Sequence, residues 1–273
     1  YEVGLLRVRI NEMVNAEAAK KLGKPVNYDN RYFVQSVKSF ADGALGSRGA
    51  HFLEEYSDYP DFYGQPRRNE DEFAQTATEL LKIGFNMRIH AIGDAGNRVA
   101  INAFERALNA TGIDGKDARF ALEHCQVLTP EDIPRLARLG IVASMQPLHA
   151  TEDMYFAESR LGPERIKYAY IWSDLLDLGV VVATGTDYSV SPYNPFYTLH
   201  AAVTRQDREN NPPGGWYPEQ AMTREEALRA ATMGGAYVMH AEDTLGSIEV
   251  GKLADFVVIP VDYMTIPAEE IWK

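Results

Sequence analysis

The sequence contains a single cysteine, Cys125, so it cannot form an internal disulfide or supply a four-cysteine zinc site. It also lacks any apolar run close to the roughly 20 residues that a membrane-spanning helix needs. No basic leader with an apolar core is visible, and the chain opens with Tyr1 rather than methionine. We therefore expect a cytoplasmic protein without a membrane partner, and we expect that Tyr1 is not the natural start.

Basic charge is scarce, because 27 lysines and arginines stand against 39 aspartates and glutamates, for a formal net charge of −12. Phosphates and anionic lipid headgroups would repel such a chain, so we expect no nucleic-acid or membrane-surface partner. The motifs G-x-G-x-x-G, G-x-x-x-x-G-K-[ST] and G-x-S-x-G are also absent. Their absence argues against phosphate-cradling loops and against the nucleophile elbow of serine hydrolases.

What the chain does contain is an alternation of short apolar runs and helical patterns. The strand-like runs cover residues 3–10, 33–40, 85–92, 118–125, 141–147 and 180–187, and helical patterns cover 70–84, 96–112, 129–140, 168–179, 195–206 and 223–239. Short connections of this kind predict parallel strands with right-handed crossovers, in an open doubly wound sheet or a closed barrel. Because polar residues stand at the carboxyl ends of several strands, the pattern favours an α/β fold of the TIM-like (β/α) barrel type.

The last part of the chain has a different pattern. Residues 245–259, LGSIEVGKLADFVVI, predict a short strand, a Gly-Lys turn and a second short strand. We therefore divide the chain into a partial barrel, residues 1–243, and a small β element, residues 244–273.

A histidine or an aspartate stands where three predicted strands end: His90 in RIHAIGD, His124 in LEHCQ and Asp187 in GTDYS. Because neighbouring strands lie about 4.8 Å apart, side chains at these ends can reach one ion, and imidazole and carboxylate are zinc ligands. Lys38, in VKSFADG, can join them only if CO₂ converts its amine into a carbamate. Structural roles stay open for each residue taken alone: a hydrogen-bonded histidine, a surface lysine or a helix-capping aspartate.

Other residues are weaker candidates for chemistry. His149, in SMQPLHAT, follows the next strand, and substrate contact and a plain loop role are both open. We add Arg48 and Tyr188 to it as candidate substrate-binding residues. Cys125 should point away from His124, because strand side chains alternate, and we expect it to be buried rather than nucleophilic.

Several motifs together resemble the amidohydrolase superfamily, and most of all its YtcJ-like branch (the amidohydrolase 3 group), which includes N-substituted formamide deformylases. They are FADGALGSRGA, RIHAIGDAGN, ALEHCQ, SMQPLHATEDM, GTDYSVSPYNP, MTREEALRAATMGGAYVMHAEDTLGSIEVGKLADFVVI and IPAEEI, and they extend from about residue 30 to the end. The resemblance implies a TIM-like barrel, one or two divalent metal ions, usually zinc, and a small β-sandwich built from both chain ends.

The resemblance also implies roles for four residues. Lys38 would be a carboxylated bridging ligand on strand four, and His90 and His124 would be ligands on strands five and six. Asp187, on strand eight, would be both a metal ligand and the catalytic general base. Metal-activated water would then attack the carbon of an amide-type C–N bond in a small-molecule substrate.

The chain departs from the family pattern in its first part. No two of the six histidines are two residues apart, so the family's His-x-His metal motif is absent. The six strands would correspond to about strands three to eight, and the chain would be the C-terminal portion of a longer enzyme. At most one metal site would be complete, from Lys38, His90 and His124. Tyr188 also departs from the family, which often has a small residue and a proline after the aspartate.

These departures leave three functions open. They are an amidohydrolase acting on a C–N bond, a catalytically incomplete fragment that keeps the fold without turnover, and a metal-dependent esterase or lactonase that uses the same site. The two open edges of an incomplete barrel also predict self-pairing of the chain into a homo-oligomer.

Overall fold

A computed structural model describes residues 6–273 of the chain. Its centre is a parallel sheet with the strand order β1-β3-β4-β5-β6-β7, and β2 pairs antiparallel with β3 beside this path. The strands are β1 (Ile10–Val14), β2 (Val26–Tyr28), β3 (Tyr32–Phe40), β4 (Asn86–Ala91), β5 (Ala121–His124), β6 (Val142–Met145) and β7 (Val182–Thr184). Six parallel strands in chain order confirm the predicted α/β fold, an incomplete TIM-like barrel.

Helices fill the connections between the strands. They are α1 (Ala16–Leu22), α2 (Glu70–Lys82), α3 (Asp94–Thr111), α4 (Gly115–Ala118), α5 (Ile133–Leu139), α6 (Pro147–Asp153), α7 (Ala157–Arg165), α8 (Trp172–Asp177), α9 (Pro195–Thr204), α10 (Arg224–Arg229) and α11 (Gly235–Val238), with a π-helical segment, Ala230–Gly234, between the last two. Local sequence sets several of their ends. Asn69 and Glu72 form a capping box at the start of α2, and Gly112 takes a left-handed conformation, with φ of 71°, at the end of α3.

The sheet separates an apolar face from a polar one. Along β4, Met87 and Ile89 are fully buried and belong to the main hydrophobic core, whereas Arg88 lines a cavity on the other face of the sheet. Behind the apolar face, Phe104 of α3 stacks on Phe120 with ring centroids 4.3 Å apart. The alternation of side chains along each strand therefore assigns packing to one face and chemistry to the other.

The structure differs from the sequence prediction at the beginning of the chain. The strand predicted at residues 3–10 is wrong in position, since β1 covers Ile10–Val14; residues 3–5 lie outside the described residues. The pairing explains the shift, because Ile10 to Val14 are the residues in register with β3. Helix α1 and strand β2 were not predicted, although Asn15 and Gly23 supply an N-cap and a left-handed C-cap for α1.

The two short strands predicted within residues 245–259 are also wrong for this chain. Within the described residues this segment pairs with no strand and is extended with turns. A β-strand needs a backbone partner, and the segment's long-range anchor is instead the Arg9 guanidinium, which donates to the Asp255 carboxylate. Ile248 and Val257 consequently stay 89% and 79% exposed. The division of the chain at residue 243 stays a prediction.

Candidate metal centre

The register of the sheet brings several polar side chains to the carboxyl ends of the strands. Lys38 of β3 pairs with Arg88 of β4, and two residues further along Phe40 pairs with His90. His90 in turn pairs with Glu123 of β5. Residues that pair across parallel strands, and residues two apart on one strand, share a face. Lys38, Arg88, His90 and Glu123 therefore share the polar face of the sheet.

His124 reaches this face by leaving the regular strand geometry. Its position in the register, opposite Ala91, would point it to the apolar side. However, His124 and the next residue, Cys125, both adopt left-handed backbone conformations, with φ of 76° and 48°. Such conformations are costly for residues other than glycine, and they gather at functional sites. Cys125 itself is fully buried, and burial raises the pKa of its thiol far above the ordinary value.

Three imidazoles and one carboxylate meet at this end of the sheet. The ring centroids of His90 and His124 lie 4.5 Å apart, and those of His124 and His149 lie 5.6 Å apart. His149 Nε2 lies 3.9 Å from Asp187 Oδ2. One ligating atom from each of His124, His149 and Asp187 falls within 4.8 Å of the other two. These three residues form a group that could hold one metal ion if the ligating atoms move slightly closer together.

Hydrogen bonds select the ring nitrogens that face this centre. His124 Nδ1 lies 2.7 Å from Gln146 Oε1, which can only accept, so Nδ1 carries the proton and Nε2 keeps its lone pair. His90 Nε2 lies 3.3 Å from the Gly43 carbonyl oxygen and 3.4 Å from Asp42 Oδ1, which leaves its Nδ1 free. A ligating histidine commonly donates its second ring N–H to an oxygen in this way.

The imidazoles are held in the neutral form that binds metals. Burial is the largest cause, and it lowers the pKa of His90 to about 4 and that of His124 well below its usual range. Burial also lowers the pKa of His149. Neighbouring Lys38 and the other imidazoles add to the effect on His124. Near neutral pH the cluster therefore offers lone pairs rather than positive charge.

One unsatisfied atom provides a test of whether the residues suit a metal ion. His149 Nε2 is buried without a hydrogen-bond partner among the described residues, and it faces the Asp187 carboxylate. A buried nitrogen left unpaired is costly, and coordination of an ion would remove that cost. The two imidazoles and one carboxylate also match the ligands that zinc prefers. The residues present therefore fit a divalent metal ion.

Lys38 lies on the same polar face as the histidines, but its amine contacts a ring. Its Nζ atom lies 5.3 Å from the centroid of Phe40. Burial lowers the pKa of its ammonium group, and the negative charges of Glu123 and Asp187 partly oppose this shift. Those influences place the amine within electrostatic reach of the cluster, while its role as a ligand stays a prediction.

The predicted substrate contacts lie in different settings. Arg48 donates from Nε and Nη2 to the two carboxylate oxygens of Asp58, at 3.1 and 2.9 Å, so it belongs to an ion pair. Tyr188 follows Asp187 directly, is 70% exposed and meets Tyr193 edge to face, with ring centroids 5.8 Å apart. Contact of Arg48 or Tyr188 with a substrate stays a prediction, and the structure places His149 within reach of an ion.

A cavity of about 320 Å³ opens beside the cluster, and two charged residues of its lining, Arg88 and Glu123, were not predicted from the sequence. Arg88 and Glu123 form a buried ion pair across it, with Arg88 Nη1 3.6 Å from Glu123 Oε1. Ser144 Oγ donates to Glu123 Oε2 at 2.7 Å. The signal was available, because Arg88 precedes His90 by two residues and so shares its face of the strand. Lys38 and Asp187 also line this cavity.

A parallel half-barrel with imidazole and carboxylate donors at the carboxyl ends of its strands is typical of barrel proteins with a metal site at that end of the sheet. Comparison with known sequences makes this specific. The model described as "Amidohydrolase family" matches residues 3–273, and the chain belongs to this family. The finding confirms the resemblance that the motifs carry.

Curated relatives support the YtcJ-like branch. The chain is 36% identical over 231 residues to Protein LONG AFTER FAR-RED 3 of Arabidopsis thaliana, which covers 83% of this chain and 38% of that protein. It is 31% identical over 235 residues to the putative amidohydrolase YtcJ of Bacillus subtilis, which covers 86% and 44% respectively. N-substituted formamide deformylase of Arthrobacter pascens is 28% identical, covering 89% and 42%. The chain thus spans less than half the length of these relatives.

Solved structures agree with this assignment. An uncharacterized metal-dependent hydrolase from Pyrococcus horikoshii OT3 superposes with a TM-score of 0.87 at 28% identity, over 98% of this chain and 54% of that one. Another from Pyrococcus furiosus superposes with a TM-score of 0.83 at 30% identity, over 96% of this chain and 53% of that one.

Among the described residues, no helix has the length and apolar character needed to cross a membrane.

Proposed function

We propose that this chain carries the metal centre and the general base of a hydrolase that cleaves an amide-type C–N bond in a small molecule. One observation carries the proposal: ligating atoms of His124, His149 and Asp187 converge within 4.8 Å of one another. Membership of the amidohydrolase family supports the reaction class. The deformylase among the relatives, named for substituted formamides, supports the C–N bond.

In this proposal His124, His149 and Asp187 hold one zinc ion. His149 then acts as a ligand, not as a substrate contact. His90, with its ring centroid 4.5 Å from that of His124, is the nearest further donor. When bound, the ion supplies Lewis acidity to water and to the substrate carbonyl. Carboxylation of Lys38, which the family resemblance implies, would add an oxygen donor from β3 and is a separate part of the proposal.

Asp187 is the residue that we assign to proton transfer. Its side chain is 40% exposed, so both water and a substrate can reach it. Burial of the remainder raises the pKa of its carboxyl group, Lys38 opposes that rise and Glu123 adds to it. The carboxylate accepts a proton from the attacking water and then donates it to the departing nitrogen, which leaves as a neutral amine.

The charged cavity holds the substrate in this proposal. Its volume of about 320 Å³ suits a small molecule rather than a polymer. Lys38 and Arg88 line the cavity and offer positive charge to a substrate. Glu123 also lines it and offers an acceptor, the Oε1 atom, which makes no hydrogen bond among the described residues. Polar groups of an amide substrate would satisfy these atoms.

Metal analysis with two histidine variants tests the centre. The purified chain is equilibrated with Zn²⁺, desalted and analysed by plasma mass spectrometry. We expect about one ion per wild-type chain and loss of that ion in both His124→Ala and His149→Ala, since each removes one of three protein ligands. His240→Ala is the matched control, because His240 is exposed and outside the cluster. Retention of zinc by His124→Ala and His149→Ala would refute the assigned ligands.

Turnover is measured in a second experiment, with the zinc-loaded chain and its Asp187→Asn variant. N-formyl and N-acyl amines are compared with esters of the same acids. Hydrolysis of the amides that Asp187→Asn abolishes supports the proposal, and preferential hydrolysis of esters supports an esterase or lactonase instead. Zinc binding without turnover supports a fold that keeps the site but not the activity.

A cytoplasmic location, supported by the single cysteine, is also proposed.

A further inference from the structure

A buried polar cluster contains residues that are close in sequence to the candidate ligands His124 and His149. Its members are Gln126, Asp153 and Tyr170. The Tyr170 hydroxyl donates to Asp153 Oδ2 at 2.6 Å, and Gln126 Nε2 donates to the same oxygen at 3.1 Å and to the Tyr170 hydroxyl oxygen at 2.8 Å. Gln126 and Tyr170 are 3% and 2% exposed. Polar groups are costly to bury, so a closed cluster of this kind holds its members in fixed places.

Two segments that carry candidate ligands meet at this cluster. Asp153 is the last residue of α6 and follows His149 by one helical turn, while Gln126 follows His124 by two residues. Because the backbone is left-handed at His124 and Cys125, the strand ladder no longer determines its course there. The side-chain hydrogen bonds of Gln126 hold the segment there, together with the Val127 amide, which donates to the Ile92 carbonyl oxygen at 3.0 Å. The Tyr170 amide donates to the Gln126 carbonyl oxygen at 2.8 Å and reinforces them.

Two residues that follow Asp187 along the chain contact Tyr170 and α6. Arg205, fully buried at the end of α9, donates from Nη1 to the Tyr170 carbonyl oxygen at 2.9 Å, and its guanidinium lies 4.2 Å from the centroid of Trp172. Helix α9 follows the loop that begins with Asp187. Within that loop, Ser191 Oγ donates to Glu152 Oε2 of α6 at 2.5 Å. Helix α9 therefore contacts the backbone of Tyr170, and the Asp187 loop contacts α6, the helix that carries His149.

We propose that Gln126, Asp153 and Tyr170 are positioning residues that set the separation of the His124 and His149 rings and, through it, the affinity and geometry of the metal centre. This inference rests on the centre proposed above. The three residues act through the histidines rather than by contact with an ion. Loss of a partner that orients a ligand typically weakens metal binding by about 10- to 100-fold.

The test uses Tyr170→Phe, which removes one hydroxyl and keeps the ring, and Asp153→Asn as a second variant of unchanged size. Co²⁺ is the probe, because its visible absorption reports coordination geometry. We expect Kd for Co²⁺ to rise about 10- to 100-fold in both variants, with a changed absorption band. Tyr56→Phe is the matched control, since Tyr56 is also fully buried and donates one hydroxyl hydrogen bond, to the Ala50 carbonyl oxygen at 2.9 Å.

A measurement without metal separates this inference from the proposed function. In crystal structures of the metal-free proteins, we expect the distance between the His124 and His149 ring centroids, 5.6 Å here, to change by more than about 0.5 Å in Tyr170→Phe and not in Tyr56→Phe. A wild-type chain that binds no Co²⁺ refutes the proposed centre, and the ring distance alone then decides the positioning role. An unchanged distance in Tyr170→Phe, or equal changes in Tyr56→Phe, would overturn the inference.

Discussion

At the scale of single residues, burial of the candidate ligands determines their charge. Because burial disfavours the protonated imidazole, the histidines of the site are neutral donors. The His90 and His124 imidazoles are too buried to hold a proton easily, and the oxygens of Gly43 and Gln146 orient them. Asp42 Oδ1 also lies 3.4 Å from His90 Nε2, and burial raises the pKa of that carboxyl group to about 7. A ligand set prepared in this way need not lose protons when an ion binds. The free-energy cost of burying the imidazoles in their neutral form is therefore a cost of folding and not of ion binding.

The same burial predicts an inert thiol at Cys125. Its side chain is fully buried and its thiol pKa is raised, so little thiolate forms and a reagent cannot reach it. We expect Ellman's reagent to label the native chain at least about 100-fold more slowly than the unfolded chain, because access requires opening of the core. The guanidinium-unfolded protein, with one thiol per chain, gives the reference rate. Fast, complete labelling of the native chain would contradict this placement.

Sequence could predict part of the site at this scale. His90, His124 and Asp187 were identified because each ends an apolar run, and the structure brings them to one end of the sheet. His149 was predicted to follow the next strand as a possible substrate contact, but not as a possible ligand, because it lies in the first turn of α6 rather than at the end of the strand itself. The buried partner of His124, Gln146, depends on a contact between adjacent strand ends, and a pattern within one segment cannot reveal such a contact.

At the scale of secondary structure, the strands with buried faces were predictable and the exposed ones were not. Strands β3 and β4 alternate or run apolar over six or more residues, and their predicted ranges differ from the structure by at most one residue at each end. Strand β2 has three residues and no fully buried side chain, so it gives no periodic signal. The two strands expected within residues 245–259 had the pattern but lack a pairing partner among the described residues. The sequence pattern indicates a propensity to form a strand, but a strand forms only where its backbone finds a pairing partner.

Two adjacent glycines near the end of the chain provide a test of element packing. A Cβ atom on Gly234 would lie 2.3 Å from the Val182 carbonyl oxygen of β7, while one on Gly235 would meet nothing within 4 Å. Both have helical backbone angles. We expect Gly234→Ala to lower the free energy of unfolding by about 1–3 kcal/mol, through displacement of the π-helical segment from β7.

Gly235→Ala is the control for this experiment. It should leave the free energy of unfolding unchanged or raise it by up to about 1 kcal/mol, since alanine favours a helix more than glycine does. Denaturant unfolding followed by circular dichroism measures both variants. Equal effects of the two substitutions would show that the close contact with Val182 does not determine stability.

At the scale of the whole molecule, the sheet ends in two edge strands, β1 and β7. The π-helical segment lies against the carbonyl of Val182 on β7, whereas Ile10 and Met13 of β1 are 39% and 37% exposed. The extended segment around Val257 adds further exposed apolar surface. Unpaired edges with apolar side chains tend to associate with another chain.

We therefore expect concentration-dependent self-association of this chain. Val257→Lys, placed on the exposed segment, should raise the dissociation constant by about tenfold, because a charge there opposes burial of this apolar segment against another chain. Val190→Lys is the matched control, since Val190 is 72% exposed in a different loop. Light scattering after size-exclusion chromatography measures both. A chain that stays monomeric at every concentration, or an equal effect of both substitutions, would rule out association through this segment.

The order of the strands has a consequence for biosynthesis. Apart from β2, each strand lies beside the one that precedes it along the chain, so a nascent polypeptide can add β3, β4, β5 and β6 in the order in which the ribosome delivers them. His124 and His149 both precede Asp187 along the chain. The three ligands of the proposed centre come together only after β7 docks, so we expect loading with an ion to be a late event in the maturation of the protein.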